Sequence, residues 1–155
     1  MSDDNSLSPE DIAKTVAETM YKKDTTSQHL GISLKSIAPG KAVMTMRVTP
    51  EMLNGHNICH GGFVFTLADT AFAYACNTYN QNTVAQAAHI DFLATVAPDS
   101  LLRATAEEKS RRRRTGIYDI TVQDQNGTTV ALFRGNSHTI KGQIIPGLTA
   151  KEKEE

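Results

Sequence analysis

The spacing of apolar and polar positions divides the chain into segments of different period. Ser8-Pro9-Glu10-Asp11 opens a helix: a hydroxyl at the N-cap, proline at the first helical position, and an acid at capping-box distance, with the helix running to about Tyr21. Residues 31–38 and 42–49 alternate around Pro39-Gly40-Lys41 and read as a β-hairpin, with Met44, Met46 and Val48 on one face and Val43, Thr45, Arg47 and Thr49 on the other. The run 60-HGGFVFTLADTAFAYACN-77 is too long and too poor in β-branched residues for a strand, and predicts one long central helix. Period two then returns at 83–96, 100–110, 116–125 and 128–140, the last two joined by the hairpin signal Asn126-Gly127. Two hairpin strands, a long helix and about four more strands predict an α+β fold, an antiparallel sheet with helices on one face. The expected organisation is a disordered arm over 1–8, a single domain over 9–143 and a flexible charged tail over 144–155.

Placed at 100° per residue, the central run gathers Thr66, Thr70, Tyr74 and Asn77 into a narrow polar band with Asp69 at its edge, and apolar side chains fill the rest. A surface helix would carry Lys and Glu, and this one has neither. Its polar band therefore faces a cavity or another subunit, which implies at least a dimer. An ionised carboxylate in such surroundings is costly without partners. Either Asp69 is satisfied by nearby backbone or by Thr66 and Thr70, or chemistry requires it.

Composition narrows the classes. The 155 residues carry a formal charge of -1, so no global field points to nucleic acid or to an anionic membrane. The acidic, polar N-terminus does not resemble a signal peptide, and Cys59 and Cys76 read as free thiols of a reducing cytoplasm. No stretch reaches the roughly eighteen apolar residues of a membrane span.

Upstream of Asp69, 54-NGHNICHGG-62 sets hydrogen-bonding side chains before two glycines that open the helix. Free first-turn N–H groups and the positive end of the helix dipole suit a developing oxyanion. Gly61 and Asp69 of one helix are about 12 Å apart along the axis, too far to share a reacting atom. Two helices side by side about a two-fold would bring Asp69 of one subunit to Gly61 of the other.

These residues, with HIDFL, TGIYDITV and VALFRGNSHTI following in order, resemble the hotdog-fold acyl-CoA thioesterases of phenylacetic acid degradation, the PaaI type, over about residues 12–141. The resemblance implies a hotdog fold, a long helix wrapped by a curved antiparallel sheet, in homodimers with two interfacial sites and usually homotetramers. It implies Asp69 as the catalytic carboxylate, acting as general base or nucleophile, the Gly61 N–H as oxyanion donor, and His60 and Asn54 as groups that polarise the carbonyl and place substrate or water. Phe63, Tyr74 and Phe92 are the expected substrate pocket. No metal or redox cofactor is implied, coenzyme A being part of the substrate. The expected activity is hydrolysis of phenylacetyl-CoA or hydroxyphenylacetyl-CoA.

The run 111-RRRR-114 cannot all sit in a regular half-buried strand. Arg113 and Arg114 either grip coenzyme A phosphates or form a solvated basic turn balanced by Glu107 and Glu108. His56, Cys59 and His60 invite a zinc reading, weakened by the glycines around them, and Ser137-His138 lacks a nucleophile elbow. His89 and Asp91 share a strand face and read as structural. The rival functions are an enoyl-CoA hydratase or dehydratase on the same fold, and a non-catalytic acyl-CoA-binding module.

Overall fold

The computed structural model describes residues 6–151. Helix α1, Pro9–Lys23, starts as the cap residues predict: Ser8 Oγ accepts from the Asp11 N–H at 3.1 Å and donates to Asp11 Oδ2 at 2.9 Å. Strands β2 (Ser33–Ala38) and β3 (Lys41–Arg47) form the expected hairpin, and Met44, Met46 and Val48 are buried. The central helix α3 spans Gly61–Cys76. Strands β4 (Thr83–Phe92), β5 (Leu101–Arg112), β6 (Thr115–Gln123) and β7 (Thr129–Thr139) complete a six-stranded antiparallel sheet of order β2-β3-β5-β6-β7-β4.

α3 lies against β3, β5 and β6. Ala104 and Ala106 on β5 and Ala68, Ala71 and Ala75 on the helix are buried, and their small side chains let helix and sheet approach. Phe72 is the largest wedge, with ring centroids 5.6 Å from Tyr118 and 6.0 Å from Phe133. Gly135 makes room for it: a Cβ there would fall 2.7 Å from the Phe72 ring.

Three features differ from the sequence expectation. A second helix, α2, Thr25–Leu30, follows α1; the Asp24 carboxylate caps it, accepting from the Ser27 N–H at 2.9 Å and the Ser27 hydroxyl at 2.6 Å, and Gly31 closes it at φ 68°. The Asn126-Gly127 connection is a longer loop in which Asp124 Oδ1 accepts from the N–H groups of both Asn126 and Thr128, and only Gly127 takes a positive φ. The arm and tail expected to be free are tied together in part: Ser6–Leu7 (β1) pairs in parallel with Thr149–Ala150 (β8), extended by the Lys151 N–H to Leu7 carbonyl bond. Asn80 anchors that tail, donating to the carbonyls of Ile145 and Leu148 and accepting from the Ile145 N–H, so backbone otherwise left unpaired is satisfied. Residues 1–5 of the arm and 152–155 of the tail lie outside the described residues. Among those described, no helix is long and apolar enough to cross a membrane.

Candidate functional site

The loop before α3 is a miniature hairpin closed by the Leu53–Cys59 bridge. Asn54 Oδ1 accepts from the His56 N–H at 2.9 Å, which commits its oxygen to the turn and leaves the amide NH2 as the free end. The Cys59 N–H donates to the Val96 carbonyl and the His60 N–H to the Met52 carbonyl, so the residues entering the helix are held from both sides.

His60 is the helix N-cap. Its Nδ1 accepts from the Gly62 N–H at 3.0 Å and its carbonyl from the Phe63 N–H. An accepting Nδ1 puts the proton on Nε2, so the group this imidazole presents outward is an Nε2–H donor. With Gly62 and Phe63 served, the Gly61 N–H is left without an acceptor among the described residues, at the positive end of a sixteen-residue helix. A cleft of about 310 Å³ opens beside it, lined by Asn54, Gly61 and Phe92 together with the apolar Cys59, Val64 and Val96. A Cβ on Gly61 would fall 3.1 Å from the Phe92 ring, so glycine is what allows that ring to close over the first turn.

Asp69 lies two turns along the same helix, on a stripe left open by the sheet: Gly62, Thr66, Asp69, Thr70 and Ala73. The two threonines are not its partners, because Thr66 donates to the Gly62 carbonyl at 2.9 Å and Thr70 to the Thr66 carbonyl at 2.7 Å. No donor among the described residues reaches the Asp69 carboxylate, and partial burial pushes its pKa up from the ordinary value. An unpartnered, half-buried carboxylate on an apolar helix is poised to take a proton.

The other expected site residues separate. Phe63 stands edge-on to His60 at 6.4 Å, beside the cleft rather than in it. Tyr74 is corrected as a pocket residue: it is 2% exposed and its hydroxyl donates to Asp24 Oδ2 at 3.0 Å, tying α3 to the start of α2. Desolvation, then the Asp24 charge, raises its pKa. Asn77 likewise leaves the band, donating to the carbonyls of Ala73 and Thr83 and accepting from the Thr83 N–H. Arg113 and Arg114 form the β5–β6 turn at the opposite end of α3 from Gly61. His89 Nε2 pairs with Asp91 Oδ1 at 3.1 Å on the outer face of the sheet, where Arg134 makes a two-pronged bond to Asp119 at 2.6 and 2.8 Å. That bond holds the Asp119 carboxyl below its usual range. These pairs line a larger groove of about 580 Å³ that contains neither Gly61 nor Asp69. Cys59, Val64 and Val96 are among the cleft residues that sequence reasoning did not assign to the pocket. Their only sequence signal is that apolar residues flank the glycines and follow β4.

The family model described as "Thioesterase superfamily" matches residues 56–131 of the chain. The acyl-coenzyme A thioesterase PaaI of Escherichia coli is 51% identical over 128 residues, spanning 83% of this chain and 91% of that protein. The structure of the E. coli PaaI protein from the phenylacetic acid degradation operon superposes with a TM-score of 0.86 at 48% identity, covering 88% of this chain and 99% of that one. A mutant structure of the phenylacetic acid degradation protein PaaI from Thermus thermophilus gives a TM-score of 0.73 at 35% identity, covering 76% of this chain and 100% of that one.

Proposed function

We infer, because this chain belongs to the thioesterase superfamily and is an acyl-CoA thioester hydrolase, that its substrates are aryl-acetyl thioesters, phenylacetyl-CoA or hydroxyphenylacetyl-CoA, cleaved to the free acid and coenzyme A in cytoplasmic phenylacetate catabolism. The observation that carries this reading is the pair of uncommitted groups on one helix: the Gly61 N–H without an acceptor and the Asp69 carboxylate without a donor.

Eight residues separate them, about 12 Å along the axis, so they act together only across a two-fold. Antiparallel helices that set Gly61 of a second copy opposite Asp69 produce two equivalent sites at once. Two surfaces support a second copy at this position. The α3 stripe is the one open face of an otherwise enclosed helix, and β4 beside it is an edge strand exposed on both faces, with Phe92 and Leu93 each 55% exposed. A long, alanine-rich edge whose one carboxylate, Asp91, lies near its end and pairs with His89 readily takes on another chain unless something covers it. The proposed assembly is this homodimer, doubled to a homotetramer.

In the proposed site the thioester carbonyl oxygen points at the Gly61 N–H, with the His60 Nε2–H and the Asn54 amide NH2 as further donors. The acyl group fills the apolar cleft under Phe92. Asp69 of the other copy takes a proton from water as its oxygen attacks the carbonyl carbon. Those donors hold the tetrahedral oxyanion; as it re-forms the C=O bond the C–S bond breaks, the thiolate leaves without an acid of its own, and Asp69 returns its proton to solvent. A carboxylate with a raised pKa is the better base, and a cleft near 310 Å³ suits an acyl group of about one ring. The chemistry draws on protein groups alone. The hydratase reading is less apt, because the His60 Nδ1 is spent on the cap.

A thiol-release screen over aryl-acetyl, benzoyl and fatty acyl-CoAs tests the assignment. The expected result is kcat/KM highest for phenylacetyl or hydroxyphenylacetyl, by about tenfold or more over palmitoyl-CoA, the scale a pocket of fixed size imposes on added methylenes. Equal or higher kcat/KM for long chains contradicts the substrate class.

A further inference from the structure

We propose that Thr95 is a specificity-determining residue: its hydroxyl, in the wall of the cleft beside Gly61, bonds a hydroxyl carried on the aromatic ring of the acyl group. Thr95 thereby separates ring-hydroxylated from unsubstituted substrates. The proposal rests on the aryl-acetyl reading above.

The segment that carries Thr95 leaves β4 after Phe92 and runs without regular structure to β5. It is nevertheless pinned on both sides of Thr95. The Val130 carbonyl accepts from the Leu93 N–H at 2.8 Å and from the Ala94 N–H at 3.3 Å, and the Val96 carbonyl accepts from the Cys59 N–H at 2.8 Å. Backbone bonds on either side hold Thr95 on a short arch of fixed shape. The bond to Cys59 joins that arch to the residue two before Gly61, so the arch and the first turn of α3 are walls of one cleft.

Three side chains in this otherwise apolar lining carry a hydrogen-bonding atom: Asn54, Cys59 and Thr95. Two of them are committed. Asn54 Oδ1 accepts from the His56 N–H at 2.9 Å, and its amide NH2 serves the thioester carbonyl in the proposed site. Cys59 is 6% exposed, its Sγ lies 3.5 Å from the His60 carbonyl oxygen, and burial pushes its thiol pKa up, so it stays a weak donor that is already occupied. Thr95 is exposed, and its hydroxyl has no partner among the described residues. It is free both to donate and to accept.

Size brings the ring to this wall. In a hydroxyphenylacetyl group the para oxygen lies about 6 Å from the thioester carbonyl carbon. A cleft of about 310 Å³ is about 7 Å across, so a ring whose carbonyl sits at the Gly61 N–H carries its substituent to the lining rather than stopping short of it. The phenolic O–H then donates to Thr95 Oγ. With an unsubstituted ring, Thr95 keeps its contact with water, so no buried polar group is stranded. The expected discrimination is therefore the gain of one neutral hydrogen bond, about three- to tenfold, and not the far larger rejection made by a desolvated site.

The test measures kcat/KM for phenylacetyl-, 3-hydroxyphenylacetyl- and 4-hydroxyphenylacetyl-CoA in wild type, Thr95→Val and Thr95→Ser. Wild type is expected to favour at least one hydroxylated substrate over phenylacetyl-CoA by about three- to tenfold. Thr95→Val, which exchanges the hydroxyl for a methyl of similar size, should erase that preference and leave phenylacetyl-CoA within about twofold of wild type. Thr95→Ser, which keeps the hydroxyl, should retain it. A wild type without preference, a preference that survives in Thr95→Val, or an equal fall on all three substrates overturns the assignment while aryl-acetyl hydrolysis stands. Failure of the aryl-acetyl reading shows differently, as wild-type turnover of all three below that of palmitoyl-CoA, and it removes this assignment as well.

Discussion

Asp69→Asn is expected to lower kcat at least about a hundredfold, the usual loss when a general base is removed, in a chain that still folds and assembles. The replacement is nearly isosteric, and no hydrogen bond to the carboxylate is lost among the described residues, so little else should change. Stability provides a second signature. Burial raises the folded-state pKa of Asp69 above its unfolded value. Between those two values the native state binds more protons than the unfolded chain, so this group's ionisation lowers stability as pH rises. At neutral pH the aspartate is therefore a burden on the fold that asparagine removes. The variant should melt no lower than wild type near pH 7, with the difference shrinking as pH falls through the raised pKa. In the proposed dimer a second copy over the stripe excludes more water and acts in the same direction. Wild-type kcat/KM should fall on the acid side with a midpoint above the ordinary carboxylate value. Thiol-release kinetics and thermal melts across about pH 4 to 8 check all of this. A variant of near-normal rate, or one that melts markedly lower at neutral pH, contradicts the assigned role.

The largest effect on stability is expected at Phe72. Truncation to alanine should cost about 3–5 kcal/mol, because the ring fills the space between Tyr118, Phe133 and the bare backbone of Gly135. The converse substitution, Gly135→Ala, drives a methyl to 2.7 Å from the ring and should cost about 1–3 kcal/mol by overpacking. In the Phe72→Ala background that second loss should largely vanish, since the obstructing ring is gone. Denaturant titration of the two single variants and the double reads the coupling directly. Additive losses would mean that Gly135 is needed for its backbone and not for the space it leaves.

How much of this was legible in the sequence differs by residue. The central helix was, because sixteen residues without Lys or Glu can only be enclosed, and so was the capping box at Ser8. The short α2 was not: TTSQHL is too short and polar to show a period, and its cap is an aspartate whose second partner, Tyr74, lies fifty residues away. The same long-range bond explains why Tyr74 was placed in the polar band. A helical wheel gives direction but not whether a polar group finds an internal partner. Glycines at 61 and 62 pointed to an oxyanion site, yet His60 as the cap was not foreseen, since imidazole is an unusual N-cap acceptor; its role depends on a tautomer set by Gly62. The arginine run read as a single feature, and only the packing of Arg111 on Tyr79 and Glu108 separates it from the three that follow. The pairing of Ser6–Leu7 with Thr149–Ala150 joins opposite ends of the chain, a contact that local pattern cannot encode.

The proposal that joins these observations is that one thioester is worked on by Asp69 of one copy and the helix N-terminus of another. Co-assembly of two inactive chains, one Asp69→Asn and one His60→Ala, separately tagged and isolated as a mixed population, measures it. If the site is shared across the two-fold, half the dimers in a statistical mixture are hybrids with one intact centre each, and thiol release returns to roughly a quarter of the wild-type rate. If both groups serve the same protomer's site, every hybrid centre carries a lesion and the mixture stays as inactive as its parents.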